Sequence, residues 1–376
     1  MRFLAAFAVV LAGVSELIAA PASLSAPTLE PKIGYGSSTA VMSAAFQENV
    51  FQGFELAFAK SVGAQRATSL LAIRQVSDRS IQGAATSAAE LIGQGVIALV
   101  GFPSSHDALL ASDIAQRAGV LAIFGSPSHM ALAEKGPLVY STGASLSTLL
   151  DDVTSFLRKT FPGKKGLGVL NPQSVFSLNQ EKLLRNKIGP GTGVDLELTR
   201  VNEALVLSDA DLAKVRAKTY DYFYFTLYPD ELIALLNQLA SEKIDLPTVA
   251  FGGPDPGILR RFMATKKAPY YVGTSWVPGT PEMKALDAEL RKAYRKTANF
   301  ETVIGYNLGL VLGTVVNRVK GPLTKESIVS AFHKNRCFTV LAKQELCFGP
   351  AGGHAAKRSM HFMRFTPVGL ELPKGS

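Results

Sequence analysis

Short continuous blocks of apolar residues alternate with longer stretches of helical periodicity along almost the whole chain. Residues 97–100 (IALV) form a block of the kind buried on both faces of a sheet. Gly101-Phe102-Pro103 ends it, Ser104 and Ser105 stand where an N-cap belongs, and residues 108–118 carry a helical alternation that Gly119 stops. Residues 120–124 predict a second strand, broken at Gly125, which hands Ser126, Pro127 and Ser128 to a short helix. The same order occurs upstream: a strand at 32–36, a helix at 48–60, a strand at 70–75 and a helix at 82–93. With 97–100 this is a β-α-β-α-β series with short loops, which implies a doubly wound parallel sheet with right-handed crossovers.

A second series begins after Tyr140-Ser141-Thr142-Gly143. Helices are predicted at 149–159, 177–187, 209–217 and 230–240, alternating with strands at 166–170, 194–200, 222–226 and 248–251. The unit is built twice, so two similar lobes follow. A strand at 270–273 and a helix at 281–295 come next. Residues 303–319 then carry Gly305, Gly309 and Gly313 at four-residue spacing. In a membrane that spacing makes a helix-pairing face. Asn307, Asn317 and Arg318 interrupt the apolar run, so close packing of the helix on a sheet is the reading adopted. One more helix, 324–332, is opened by Thr324 as a cap.

The chain has 376 residues, too long for one ordinary core and suited to two lobes; 47% hydrophobic and 18% charged residues exclude a disordered or fibrous chain. Residues 1–22 have the make-up of a secretory signal peptide: Arg2 at the start, an apolar run from Phe3 to Val14 and Ala20-Pro21-Ala22 as a cleavage site. Export to the periplasm follows, and no cysteine nearby offers a lipid attachment site. The net charge of +9 is spread along the chain, so it is read as a solvated basic surface rather than a nucleic-acid interface. The two cysteines, Cys337 and Cys347, flank a predicted strand and turn, and in an oxidising compartment they predict a disulfide bracing a hairpin. Two thiols alone make a poor metal site.

At the carboxyl ends of parallel strands, free backbone N–H groups and small hydroxyls converge on a crevice, and a helix start there favours an anion such as a carboxylate. The segments Gly101-Phe102-Pro103-Ser104-Ser105 with Ala115, and Ile123-Phe124-Gly125-Ser126-Pro127-Ser128 with Ala131-Leu132, resemble those of the type I periplasmic binding proteins. Within that family they are most similar to the branched-chain amino-acid receptors of ABC transporters. The resemblance implies an α/β fold of two doubly wound parallel-sheet lobes joined by a three-strand hinge. Its chain crossings fall near Thr142, near Ser275 and between Cys337 and Gly349. Lobe 1 is then residues 30–141 plus 276–337, and lobe 2 is 142–275 plus 338–376. It also implies a small-molecule ligand, a membrane permease as partner, and a monomer without cofactor or metal.

By the same resemblance, ligand contacts in lobe 1 fall on Ser105, Ser126, Pro127 and Ser128. Pro127 departs from the family's pattern, and any contact there must use its carbonyl. Ser104-x-x-Asp107 also fits a capping box, which is compatible with binding. Lobe 2 contributes Phe176 where the family often has tyrosine, Tyr228, and Asp255 as a partner for an ammonium. Phe176 offers only an apolar wall; Tyr228 either donates to a carboxylate, covers an apolar side chain or packs beneath a loop. His106 and His129 follow candidate serines. Singly each is an exposed first-turn residue, while together they can bind a metal or a second anionic group.

The sequence carries no GxxxxGK[ST] loop, HExxH or GxSxG, so no catalytic residue is assigned. The expected function is the exported binding component of an ABC transporter, taking an amino acid or related small polar metabolite. The alternative is a sensing module of the same fold that reports an amide, a urea-like compound or an amino acid to a regulatory partner.

Overall fold

A computed structural model describes residues 30–77, 79–251, 256–264, 266–356, 358, 360–367 and 369–373. The proposed signal segment and Asp255 lie outside the described residues. From the amino end come β1 (Ile33–Ser38), α1 (Ala44–Val62), α2 (Ala64–Leu70), β2 (Leu71–Val76), α3 (Gly83–Gly93), β3 (Ala98–Gly101), α4 (Ser105–Arg117), β4 (Leu121–Phe124) and β5 (Val139–Ser141). The second series is α5 (Leu146–Thr160), β6 (Lys165–Leu170), α6 (Val175–Leu184), β7 (Asp195–Arg200), α7 (Asp209–Arg216), β8 (Tyr222–Phe225), α8 (Leu232–Ser241), β9 (Thr248–Phe251), α9 (Pro256–Met263) and β10 (Tyr270–Thr274). Helices α10 (Pro281–Tyr294), α11 (Phe300–Arg318) and α12 (Lys325–Lys334) precede β11 (Cys337–Thr339), β12 (Glu345–Phe348), β13 (Gly353–Ala356), β14 (His361–Thr366) and β15 (Gly369–Glu371).

These strands make two sheets. The first runs β11-β12-β13-β5-β4-β3-β1-β2 and the second β15-β14-β10-β9-β8-β6-β7. Both are parallel through their βαβ core and end in antiparallel pairings, β11 with β12 and β12 with β13 in one, β10 with β14 and β14 with β15 in the other. Strands β3, β4, β8 and β9 are buried at every position, which is why they read as unbroken apolar blocks. Helices α1, α11 and α12 cover one face of the first sheet, α3 and α4 the other. In the second sheet α7, α8 and α9 cover one face, α5 and α6 the other.

The chain passes between the sheets three times, after β5, after β10 and between β13 and β14. The third passage corrects the position expected between Cys337 and Gly349. The cysteine-bearing hairpin stays in the first sheet, because β13 continues from it and pairs in parallel with β5. Residues 337–356 therefore lie in the first sheet, and only the strands from β14 onward join the second. Cys337 and Cys347 are direct partners across β11 and β12, their Cα atoms 4.1 Å apart and their sulfurs at bonding distance.

The glycine repeat of α11 faces a helix, not a sheet. A Cβ at Gly305 would lie 1.8 Å from the Val50 carbonyl oxygen, and one at Gly309 would lie 2.4 Å from that of Phe54. The two backbones of α1 and α11 touch along this seam, while Leu308, Leu312 and Val315 of α11 fill the core beneath the sheet. Among the described residues no helix is long and apolar enough to cross a membrane.

Candidate functional site

In the first sheet, β3 and β4 end in turns that lead toward the second lobe. Gly101 closes β3 at φ +106°, and a Cβ there would meet the Gly36 carbonyl oxygen at 2.2 Å, so only glycine lets the chain leave the sheet beside β1. Ser104 then caps α4, its Oγ accepting the Asp107 N–H at 3.0 Å. The return half of a capping box is missing. Both Asp107 carboxylate oxygens are buried without a hydrogen-bond partner, and burial pushes this carboxyl up to about 7, against a weaker opposing pull from the Ser104 hydroxyl. Ser105, the first residue of α4, sends its backbone N–H across the gap to the Tyr228 hydroxyl oxygen at 3.3 Å.

The turn after β4 is held by the first crossing. Ser141 Oγ donates to the Pro127 carbonyl at 2.6 Å, the Leu146 N–H donates to the Ser128 carbonyl at 2.9 Å, and a Cβ at Gly143 would lie 2.7 Å from the Ser126 carbonyl oxygen. Ser126 itself sits at φ +74°, a strained conformation for a residue other than glycine. The Pro127 carbonyl, the only backbone group it can offer, is thus already engaged by Ser141.

On the facing lobe, Ser174 caps α6 and places Phe176 in its first turn. The Phe176 ring stacks on Tyr228 with centroids 4.9 Å apart and meets Phe251 edge-on at 5.8 Å. The Tyr228 N–H donates to Glu231 Oε2 at 2.7 Å, and Glu231 also accepts from Asn171 at 2.7 Å. Burial raises the Glu231 carboxyl above its ordinary range, with these two hydrogen bonds opposing it. Burial likewise drives the Tyr228 hydroxyl far above the usual phenol range, so it stays protonated.

Between these walls lies a cavity of about 80 Å³. Ser105, Ser126, Pro127 and Ser128 line it from the first lobe; Phe176, Tyr228 and Phe251 line it from the second. Met42 and Phe46 beside and on α1, with Phe300 and Ile304 of α11, close one side. The chain crossings supply Gly143, Ser275 and Arg358. The lobes also meet around it, the Ser43 N–H donating to Asp230 Oδ2 at 2.8 Å and the Met130 N–H to Asn179 Oδ1 at 3.4 Å.

His106 and His129 do not line this cavity. The His106 Nε2 lies 2.9 Å from the Ile81 carbonyl oxygen, and His129 Nδ1 accepts the Ala131 N–H at 3.2 Å. Burial lowers His129 below its usual range and, together with the nearby His129, pushes His354 down to about 4. Burial thus favours the neutral form of the His129 and His354 imidazoles at pH 7.

The residue that sequence reasoning missed is Arg358, on the third crossing. It is 7% exposed and lines the cavity, donating from Nη1 to the Thr142 carbonyl and from Nη2 to Ser275 Oγ at 2.6 Å. One side chain therefore ties together all three crossings. Burial lowers its pKa to about 10, which leaves it charged at neutral pH. Among the described residues no carboxylate lies within ion-pair distance of it.

The family described as periplasmic binding protein matches residues 77–369. Solved structures with the same fold include LivJ of Streptococcus pneumoniae, a branched-chain amino acid transporter substrate-binding protein in complex with isoleucine. It is 19% identical with a TM-score of 0.72, the likeness covering 91% of this chain and 98% of that one. The leucine-binding protein LivK of Thermotoga maritima is 17% identical with a TM-score of 0.73, over 91% of this chain and 97% of its own. A fatty acid ABC transporter substrate-binding protein from Thermomonospora curvata is 15% identical with a TM-score of 0.73, over 90% and 89%. At these identities the likeness is one of fold. No curated protein matches the chain.

Proposed function

We propose that this chain, which belongs to the periplasmic binding protein family, is the exported substrate-binding component of an ABC transporter. It captures an amino acid or related small polar metabolite between its two lobes and presents the closed form to a membrane permease. The first 22 residues act as a signal peptide, the mature protein works as a monomer in the periplasm, and Cys337 and Cys347 are joined there as a disulfide. The ligand leaves unchanged, since capture needs only differential affinity for the closed state.

The observation that carries this reading is the cavity itself, walled by serine-bearing turns of one sheet and by stacked aromatic rings of the other. Ser105 and Ser128 hold the ligand's polar end, Ser126 and Pro127 shape the turn beside it, and Phe176 and Tyr228 cover its body. Asp255 is a further contact for a ligand that carries a cation. Moving an open–closed balance from 1:99 to 99:1 takes about 5.5 kcal/mol, and a few hydrogen bonds to a charged group at roughly 1.5 to 3 kcal/mol each suffice.

A thermal-shift screen of the purified protein against amino acids, amides, short-chain acids and ureas tests the reading. A ligand at 100 times its dissociation constant stabilises by about 2.7 kcal/mol. Ser105→Ala and Ser128→Ala are each expected to weaken the hit by about tenfold, in line with one lost hydrogen bond to a charged group. Unchanged affinity in both variants removes the first-lobe site, and silence across the whole screen removes the reading.

A further inference from the structure

Arg358 is a buried cation for which the described residues provide orientation but no counter-charge. Of the five N–H donors in a guanidinium fork, one goes to the Thr142 carbonyl and one to Ser275 Oγ. Both acceptors are neutral. They fix the plane of the fork without compensating its charge, a costly arrangement for a desolvated ion unless a negative partner arrives. Among the described residues that line the cavity none is acidic; the rest of the wall is hydroxyl, aromatic and aliphatic. Among those described residues none carries a charge that would neutralise an ammonium.

We infer that Arg358 is the anion anchor of the cavity, and that the ligand is a monocarboxylate with a compact apolar body and no required ammonium group. The inference rests on the cleft being the ligand site, and it narrows that reading to one substrate class. The carboxylate meets the free edge of the fork, where paired N–H donors match its two oxygens. The serine hydroxyls at 105 and 128 supply further donors. The hydrocarbon body lies among Phe176, Ile304 and Phe251, whose packed rings and branched side chain favour a compact group. Because the fork also holds the three crossings together, the incoming charge reaches the hinge directly.

Isothermal titration with matched probes tests this. The probes are 4-methylpentanoate, its primary amide and leucine, which share one carbon skeleton, with 3-methylbutanoate and benzoate and their amides as a second series. The acids are expected to bind at least 30-fold more tightly than their amides, and leucine no more tightly than 4-methylpentanoate. Arg358→Met is expected to shrink the acid-over-amide ratio below threefold, while Arg358→Lys retains part of it. If Arg358 served only to pin the hinge, Arg358→Met would lower the melting temperature and weaken acid and amide alike, leaving the ratio in place; that result overturns the inference. So does an amide that equals its acid, or leucine binding tenfold or more above 4-methylpentanoate. A win for leucine, or for a neutral ligand, leaves the capture reading standing; failure of every compound in the wider screen removes both. The acid-to-amide ratio is read on the unsubstituted protein, so it decides the matter even where Arg358→Met does not fold.

Discussion

The seam between α1 and α11 gives the sharpest quantitative test of the fold, through Gly305→Ala. The added methyl would start 1.8 Å from the Val50 carbonyl oxygen and 2.8 Å from the Phe54 nitrogen. Both obstacles are backbone, so no side chain can swing aside, and the helices must part by about 1 Å; a gap of that size forfeits a quarter to a half of each dispersion contact along the seam. Overpacking of a close-packed core costs about 1–3 kcal/mol, and the obstructing backbone puts this site at the upper end. Against it stands the better helix propensity of alanine, about 1 kcal/mol. The expected net loss is about 2 kcal/mol, or about 3 °C in melting temperature for a chain of this length. Gly93→Ala, at the end of α3, is the control: nothing lies within 4 Å of its Cβ position, so it is expected to stabilise by a few tenths to about 1 kcal/mol. Urea titration of both variants checks the pair of opposite signs. Since Ile304 neighbours Gly305 and lines the cavity, Gly305→Ala should also weaken ligand binding. Equal stability of Gly305→Ala and the unsubstituted protein would refute the backbone contact along this seam.

Three other outcomes are expected. Asp107 has a carboxyl near pH 7 when folded and near about 3.9 when unfolded, so its contribution is fully present below about pH 4 and lost as pH rises to about 7, at most about 4 kcal/mol; Asp107→Asn should raise stability at pH 8 and flatten urea midpoints between pH 4.5 and 8, and an unaltered slope would contradict it. Reducing the Cys337–Cys347 bond, which spans 10 positions, is expected to cost about 2–3 kcal/mol. A thiol reductant should then lower the melting temperature of the native protein and leave the doubly serine-substituted chain unmoved. Tyr228→Phe removes the acceptor that the Ser105 N–H reaches across the gap; if that contact joins the lobes on capture, the loss should weaken ligand binding by about tenfold, calorimetry reads it, and an unchanged affinity would show that the contact does not support capture.

Much of the architecture was legible because its signals are local. Strands buried on both faces appear as unbroken apolar blocks, and Ser104, Ser145, Ser174 and Ser208 cap helices where hydroxyls precede helical periodicity. The third passage between lobes was misplaced because the turn in the cysteine hairpin looks like an exit, while the pairing of β13 with β5 joins residues more than 200 positions apart and leaves no local trace. Arg358 was invisible for a related reason. It stands in an aperiodic run, Gly352-Gly353-His354-Ala355-Ala356-Lys357-Arg358, where a buried cation looks the same as the many basic residues scattered over the surface. His106 illustrates the converse: adjacency to a candidate serine put it near the site in sequence, yet one step along a helix turns a side chain by about 100°, and its ring ends against Ile81.

The strands that finish both sheets follow far behind their partners along the chain. β13 must slide in beside β5, more than 200 positions upstream, and β14 beside β10, so until residues 353–366 have been synthesised neither half can complete its ladder. A nascent chain of this design keeps both ladders open until that segment has emerged.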